Sequence, residues 1–186
     1  MASIAPHTFA TRDGAPFTIR TAEPADAERM FDYLAHIDQT SDFNVSRPGT
    51  RLLSDVASRI EADLAHPNQL FILAESQTSI VGELSFHGNT PERMAHHGHL
   101  GISVHADWRS RGVGTALLRV LLDWARAHPV IEKICLGVFA ENAPAIALYR
   151  RMGFWEEARR DGEFKFGPGR YMDDIQMSQW VKPHPR

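Results

Sequence analysis

Hydrophobic and polar positions follow two different periods along the first part of the chain. The segment FTIRTA, residues 17–22, alternates with a period of two, which predicts a strand. Residues 23–37 and 51–66 instead carry apolar side chains at spacings of three and four, which predicts two amphipathic helices. The polar residues 38–50 separate these helices. We therefore expect a strand and then two helices at the start of the domain.

The remaining pattern alternates strands with helices. Two apolar runs around a short polar turn predict a hairpin over residues 70–86, and a polar loop follows it. Helical spacing is clearest in GTALLRVLLDWARAH, residues 114–128, which ends before Pro129. The other predicted elements are strands at 99–104 and 133–139, a helix at 142–153, and closing strands around Phe154 and over 171–180.

Length and composition narrow the class of protein. With 186 residues, 43% of them hydrophobic, the chain is expected to form one domain over 17–182, preceded by a flexible arm over 1–16. A formal net charge of −3 argues against a nucleic-acid partner. Since no basic leader or long apolar run is present, we expect no membrane association and a cytoplasmic location. The single cysteine, Cys135, excludes an internal disulfide and is expected to be a buried thiol.

The stretch WRSRGVGTALL, residues 108–118, places glycines and arginines between a predicted strand and a predicted helix. Such a junction offers unpaired N–H groups and the positive end of a helix dipole to a small anion. A P-loop would need a lysine after Gly114, and a dinucleotide fingerprint would need a glycine where Leu117 stands. What remains is R-x-x-G-x-G, in which small residues let the main chain wrap a pyrophosphate and arginines add contacts. The alternative is a helix start that needs only a flexible turn.

Two segments together carry a family resemblance. The segments ISVHADWRSRGVGTALL, residues 102–118, and NAPAIALYRRMGF, residues 142–154, resemble the acetyl-CoA-binding core of the GCN5-related N-acetyltransferase (GNAT) family. The resemblance implies an α/β fold with a mixed, mostly antiparallel central sheet, splayed at the acetyl-CoA site and flanked by about four helices. It also implies an acyltransferase that moves acetyl from acetyl-CoA, its cosubstrate, directly to a primary amine of a small molecule or peptide. No metal is implied, and a homodimer is compatible with the family.

Carried over by position, the resemblance assigns an acetyl-CoA site. The pantetheine arm would lie along the strand edge, the pyrophosphate in the turn, and the Val104 N–H would be the oxyanion donor. Asn142 would reach the pantetheine, and Tyr149 would be the proton donor to the leaving thiolate. An N-cap role for Asn142 and a core role for Tyr149 stay open as alternatives. The implied cofactor-binding residues are Ile102, Ser103, Val104, Arg109, Ser110, Arg111, Gly112, Val113, Gly114, Thr115, Asn142 and Tyr149.

The general base that would deprotonate the amine is less clear. Several family members carry a glutamate five residues ahead of the helix asparagine, and that position here is Gly137. The candidates left are Glu83, His97 and His99, acting directly or through water. Of these, Glu83 and His99 join Tyr149 as the predicted catalytic residues. The segment HHGH lacks a fourth protein ligand at a fixed spacing, so no metal site is expected.

Two other functions stay open at this point. One is a catalytically weak acetyl-CoA-binding regulatory module on the same fold, which would fit the absent glutamate. The other, a nucleotide-dependent phosphotransferase, is disfavoured by the missing P-loop lysine. An amine acceptor would lie against residues 38–50, the hairpin near Glu83 and the closing strands. There, Asp173 and Asp174 would either suit a cationic amine or be solvated charges at a strand edge.

Overall fold

A computed structural model describes residues 3–43 and 49–184 of the chain, and in these residues it contains eight strands and four α-helices. None of the helices in these ranges is both long enough and apolar enough to cross a membrane. The strands are β1 (His7–Ala10), β2 (Pro16–Thr21), β3 (Gln69–Ser76), β4 (Ser79–Gly88), β5 (His97–Val104), β6 (Lys133–Phe139), β7 (Trp155–Gly167) and β8 (Arg170–Trp180). The helices are α1 (Ala27–Thr40), α2 (Leu53–Ala65), α3 (Val113–Ala127) and α4 (Ala143–Arg151).

All of these strands belong to one sheet, in the order β1-β2-β3-β4-β5-β6-β8-β7. Neighbouring strands are antiparallel except β5 and β6, which run parallel. Parallel neighbours need a crossover connection, and helix α3 lies in it. The predicted mixed, mostly antiparallel α/β fold is confirmed.

Helix α3 covers one face of the sheet. Its apolar stripe, which includes Val113, Leu117 and Leu121, is buried in the same core cluster as Leu84 of β4. Gly82 allows this close packing, because a Cβ at that position would lie 3.1 Å from Leu117 Cδ1. The position of α3 also fixes the turn that precedes it.

Helices α1 and α2 cover the opposite face, which we call the α1/α2 face. Met30 and Ile60 from the helices pack there on Phe71 and Leu73 of β3. Farther along the sheet this face becomes polar, and Arg59 of α2 donates a hydrogen bond to Ser85 Oγ at 2.9 Å. Among the described residues, the apolar cluster on this face therefore contains no residue of the parallel strands β5 and β6.

The N-terminal segment differs from the flexible arm expected over residues 1–16. Residues 7–10 form strand β1, which pairs with β2, and Phe9 stacks on Phe17 with ring centroids 5.6 Å apart. Asp13 forms a bidentate ion pair with Arg111, with its shorter contact at 2.6 Å. A strand of only four residues leaves too little alternation for sequence periodicity to detect.

Candidate functional site

A slot opens between β5 and β6. The two strands pair only from His97 to His99, with His99 opposite Cys135 as the last pair. Beyond this point β5 stays paired with β4 as far as Val104, and β6 stays paired with β8 as far as Phe139. The parallel strands therefore diverge, and the slot runs between residues 100–104 and 136–139.

Main-chain groups of β5 point into this slot. The His105 N–H donates to the Val81 carbonyl oxygen at 3.0 Å, so that N–H points toward β4. Successive N–H groups along a strand point to opposite sides. The N–H groups of Ile102 and Val104 therefore point away from β4, into the slot. The Ser103 side chain, by contrast, lies on the α1/α2 face.

The turn before α3 lies at one end of the slot and is shaped by two positive φ angles, 60° at Ser110 and 105° at Gly112. The first hydrogen bond of the helix runs from the Ala116 N–H to the Gly112 carbonyl oxygen. In the ranges the structure describes, the N–H groups of residues 113–115 donate to no protein acceptor. A Cβ at Gly112 would have no neighbour within 4 Å, so this side of the turn is open. The turn therefore offers free N–H donors to an anion that approaches from outside.

The arginines of the turn have partners within the fold. Arg109 donates to the main-chain oxygens of Val104 at 3.1 Å and Thr40 at 3.3 Å. Arg111 pairs with Asp13 and lies over the Trp108 ring, 4.7 Å from its centroid. Both side chains therefore stabilise the turn, and their contact with a phosphate stays a prediction.

Helix α4 carries the two residues that the second motif singled out. Asn142 caps the helix, because its Oδ1 accepts the Ala145 N–H at 3.2 Å. Tyr149 is buried on the same helix face as Ile146, and its ring meets Phe154 edge to face at 5.9 Å. Burial raises the pKa of Tyr149 to about 12, so its hydroxyl keeps its proton at neutral pH. A cap and a buried phenol are both present, and their roles toward a ligand stay predictions.

Glu83 is buried and ends a hydrogen-bonded chain on the α1/α2 face, with Ser103 in its middle. It lies opposite Ser103 in the sheet, and Ser103 Oγ donates to Glu83 Oε1 at 3.1 Å. The Tyr33 hydroxyl of α1 lies 2.9 Å from the same Ser103 Oγ. Burial raises the pKa of Glu83, an effect that the nearby Arg59 partly opposes. Sequence reasoning missed Tyr33, because nothing in an apolar helix stripe indicates a polar contact 70 residues away.

The predicted base His99 lies at the closed end of the slot. Its donor atoms, those of His97 and the Cys135 sulfur all lie within 4.8 Å of one another. Burial lowers the pKa of both histidines, so their neutral rings can accept a proton. Cys135 is buried as expected, and Ser178 Oγ lies 3.5 Å from its sulfur.

The carboxylates of Asp173 and Asp174 in β8 have different surroundings. Asp173 accepts hydrogen bonds from Arg159 Nε at 2.8 Å and from the Gly162 N–H at 2.9 Å. Asp174 is buried and is therefore no solvated edge charge. Of the predicted acceptor-facing segment 38–50, residues 44–48 lie outside the described residues.

Comparison with known proteins agrees with this geometry. Residues 32–154 match the model of the acetyltransferase (GNAT) family. The chain is 33% identical over 148 residues to the N-alpha-acetyltransferase RimI of Mycobacterium tuberculosis, covering 77% of this chain and 82% of that protein. It is 32% identical over 100 residues to the L-amino acid N-acetyltransferase AaaT of Escherichia coli, a match spanning 54% of this chain and 61% of that protein's length.

The fold is also that of a solved structure. The structure of yncA, a putative acetyltransferase from Salmonella typhimurium, with its cofactor acetyl-CoA, superposes with a TM-score of 0.80 at 23% identity. The superposition covers 91% of this chain and 96% of that chain.

Proposed function

Because the chain belongs to the GNAT family of acetyltransferases, we propose that it transfers acetyl from acetyl-CoA directly to a primary amine of a small molecule or peptide. The observation that carries this proposal is the slot between β5 and β6, with two main-chain N–H groups pointing into it and an open, anion-accepting turn at its end. One relative is named as an L-amino acid N-acetyltransferase and another as an N-alpha-acetyltransferase, and both names favour an α-amino group as the acceptor.

The described residues fit acetyl-CoA. The free N–H groups of residues 113–115, with Gly112 open to solvent, suit a pyrophosphate. The N–H groups of Ile102 and Val104 suit an amide-containing arm laid along the strand. Acetyl-CoA supplies an acetyl group activated as a thioester.

The chain's own residues would stabilise charge and move protons. A main-chain N–H at Val104, fixed in the sheet, can donate to the developing oxyanion, a contact typically worth about 3 kcal/mol. Tyr149 would give its proton to the departing thiolate. A phenol is a weaker acid than a thiol, whose pKa is near 8.5, so this transfer is uphill unless it is concerted with C–S cleavage. We therefore assign the proton transfer to the cleavage step itself.

The acceptor amine must also lose its charge. An α-amino group with a pKa near 8 is neutral in about one molecule in ten at pH 7, which adds roughly 1 kcal/mol to the barrier. An alkyl amine with a pKa near 10.4 is neutral only about once in 2,500 molecules, which adds roughly 5 kcal/mol. Glu83, which is separated from the slot by β5, and His99, at the closed end of the slot, are the bases predicted from sequence. A desolvated site with a carboxylate or a neutral imidazole lowers this barrier.

Two measurements test the proposal. Calorimetry should detect acetyl-CoA binding, and thiol release from acetyl-CoA should depend on an added amine drawn from L-amino acids, spermidine and short peptides. Binding without any amine-dependent thiol release would favour the regulatory-module alternative. A lack of binding would overturn both readings.

A cytoplasmic location and a homodimer are part of the proposal. The single buried cysteine suits a reducing compartment, where disulfides rarely persist. Sedimentation analysis of the purified protein tests the dimer, and cell fractionation tests the location.

A further inference from the structure

Asp174 occupies the space that a side chain at position 137 would otherwise fill. A Cβ on Gly137 would lie 2.9 Å from Asp174 Oδ1 and 3.2 Å from Oδ2. Gly137 is two residues beyond Cys135, the last residue of β6 that pairs with β5. The carboxylate of Asp174 therefore lies over β6 on the α1/α2 face, at the point where the slot has just opened.

This carboxylate is buried and incompletely hydrogen-bonded. Asp174 is only 4% exposed, and its Oδ2 accepts a hydrogen bond from Gln176 Nε2. Its Oδ1 is buried and has no hydrogen-bond partner among the described residues. A buried carboxylate oxygen without a donor has lost its hydration and gained no hydrogen bond in exchange, which is unfavourable. A donor supplied by a ligand would remove that cost.

The charged groups around Asp174 leave Oδ1 available. Arg160, its partner across the β7–β8 ladder, has its Nη1 at 3.3 Å from Glu163 Oε1 instead. On β6, Asp174 faces Phe139 and Gly137, neither of which ionises. Glu83 belongs to β4, and β5 lies between β4 and the slot. Asp174 is thus the buried carboxylate on the β6 side of the slot, and Glu83 is its counterpart on the β5 side.

Resting on the function proposed above, we propose that Asp174 is the general base of the acetyl transfer. Oδ1 removes one proton from the acceptor ammonium, and the freed nitrogen lone pair forms the C–N bond to the acetyl carbon. The C–S bond breaks with its electron pair on sulfur, and the thiolate takes the Tyr149 proton. The second nitrogen proton returns to Tyr149, and Asp174 releases its proton to solvent.

Variants of two adjacent residues test this assignment. Asp174→Asn keeps the size and the Gln176 contact but removes the base, so kcat/KM should fall by roughly 10² to 10³ with the L-amino acid that gives the fastest thiol release. The acetyl-CoA Kd should stay within about twofold of wild type. Asp173→Asn is the matched control, because Asp173 pairs with Arg159 rather than lying over Gly137, and its turnover should be unchanged.

Moving the carboxylate to a neighbouring position distinguishes a loss of the base from a loss of structure. In an Asp174→Ala background, Gly137→Asp places a carboxylate in the vacated space and should recover at least tenfold of the lost turnover. The loss in Asp174→Asn should also shrink with hydroxylamine, which is already neutral at pH 7 and needs no base.

The outcomes are distinguishable. Wild-type turnover in Asp174→Asn, or an equal loss with hydroxylamine and with the amino acid, overturns the role of Asp174 and leaves acetyl transfer intact. Failure of the wild-type protein to release thiol with any amine overturns the proposed function, and this inference with it.

Discussion

His99 and Cys135 form the last pair between β5 and β6, and the two strands part directly beyond them. The separation is held from both sides, because β5 remains bonded to β4 and β6 to β8 along the length of the slot. A slot bounded by strands that each keep one neighbour is a fixed feature of the sheet. Ligand groups can therefore meet main-chain donors that are already oriented.

Gly112 should matter for the ligand rather than for the fold around it. A Cβ at Gly112 meets nothing within 4 Å, so Gly112→Val adds local backbone strain at φ 105° and blocks the approach of a pyrophosphate. We expect acetyl-CoA binding to weaken at least tenfold by calorimetry.

Gly169→Val is the control, since Gly169 also has a positive φ, of 70°, and open space. Equal acetyl-CoA affinity in both variants would contradict the location of the site. Gly114→Val is a poorer test, because a Cβ there would lie 3.3 Å from Leu148 and disturb α4 as well.

The ion pair with Arg111 should make Asp13 titrate at a lower pH than an ordinary aspartate. The hydrogen bond from Arg111 lowers the pKa of Asp13 to about 2. A lowered folded-state pKa means that the stabilising contribution is present above about pH 4 and is lost as the pH falls toward 2. NMR titration of wild type and Arg111→Gln should show the Asp13 pKa returning toward 3.8 in the variant. An unchanged Asp13 pKa in that variant would rule out the pairing in solution.

Tyr149→Phe should lower kcat by roughly 10² to 10³ and leave the KM for acetyl-CoA near wild type. The phenyl ring preserves the packing on Phe154 while the proton donor is lost. Tyr171→Phe, at an exposed tyrosine, serves as the matched control. If Tyr149 is only a core residue, its variant will show unchanged kcat and a stability loss of about 1 kcal/mol.

Glu83→Gln should change stability in a pH-dependent way. Burial raises the pKa of Glu83, so its protonated form favours the folded state below the unfolded-state pKa of about 4.5. That advantage disappears as the pH rises through the folded-state pKa, because a buried carboxylate then replaces a neutral acid. As the pH rises from 4 to 8, we expect the Tm of Glu83→Gln to increase relative to the Tm of wild type. Parallel Tm curves would show that the pKa of Glu83 is not raised in the folded state.

The local pattern of apolar and polar residues was enough to predict most helices and strands. It was not enough for strands whose side chains are mostly exposed. Strand β6 begins and ends where KICLGVF does, because its apolar run is buried. Strand β7 was expected only around Phe154, yet it extends from Trp155 to Gly167. Its charged, mostly exposed residues are held by pairing with β8, and that long-range pairing leaves no period in the sequence.

The candidate site also has parts that local sequence predicts and parts that depend on contacts between distant segments. The glycine turn and the helix start could be predicted from local sequence, and the slot was implied by the family resemblance. The partners of Arg111 and of Glu83 come from segments 98 and 20 residues away, so no local pattern could indicate them. The burial of Asp174 likewise depends on Gly137 in a strand that is distant in sequence.

Mass spectrometry of the reaction products shows whether this protein acetylates amines. Purified protein is incubated with acetyl-CoA and a pool of L-amino acids, spermidine and short peptides, and the Tyr149→Phe protein is run in parallel. We predict that one or more amines gain a single acetyl group in step with CoA release, and that the Tyr149→Phe reaction forms far less product. CoA that remains fully acetylated, or thiol release that yields only acetate, would contradict acetyl transfer to an amine by this protein.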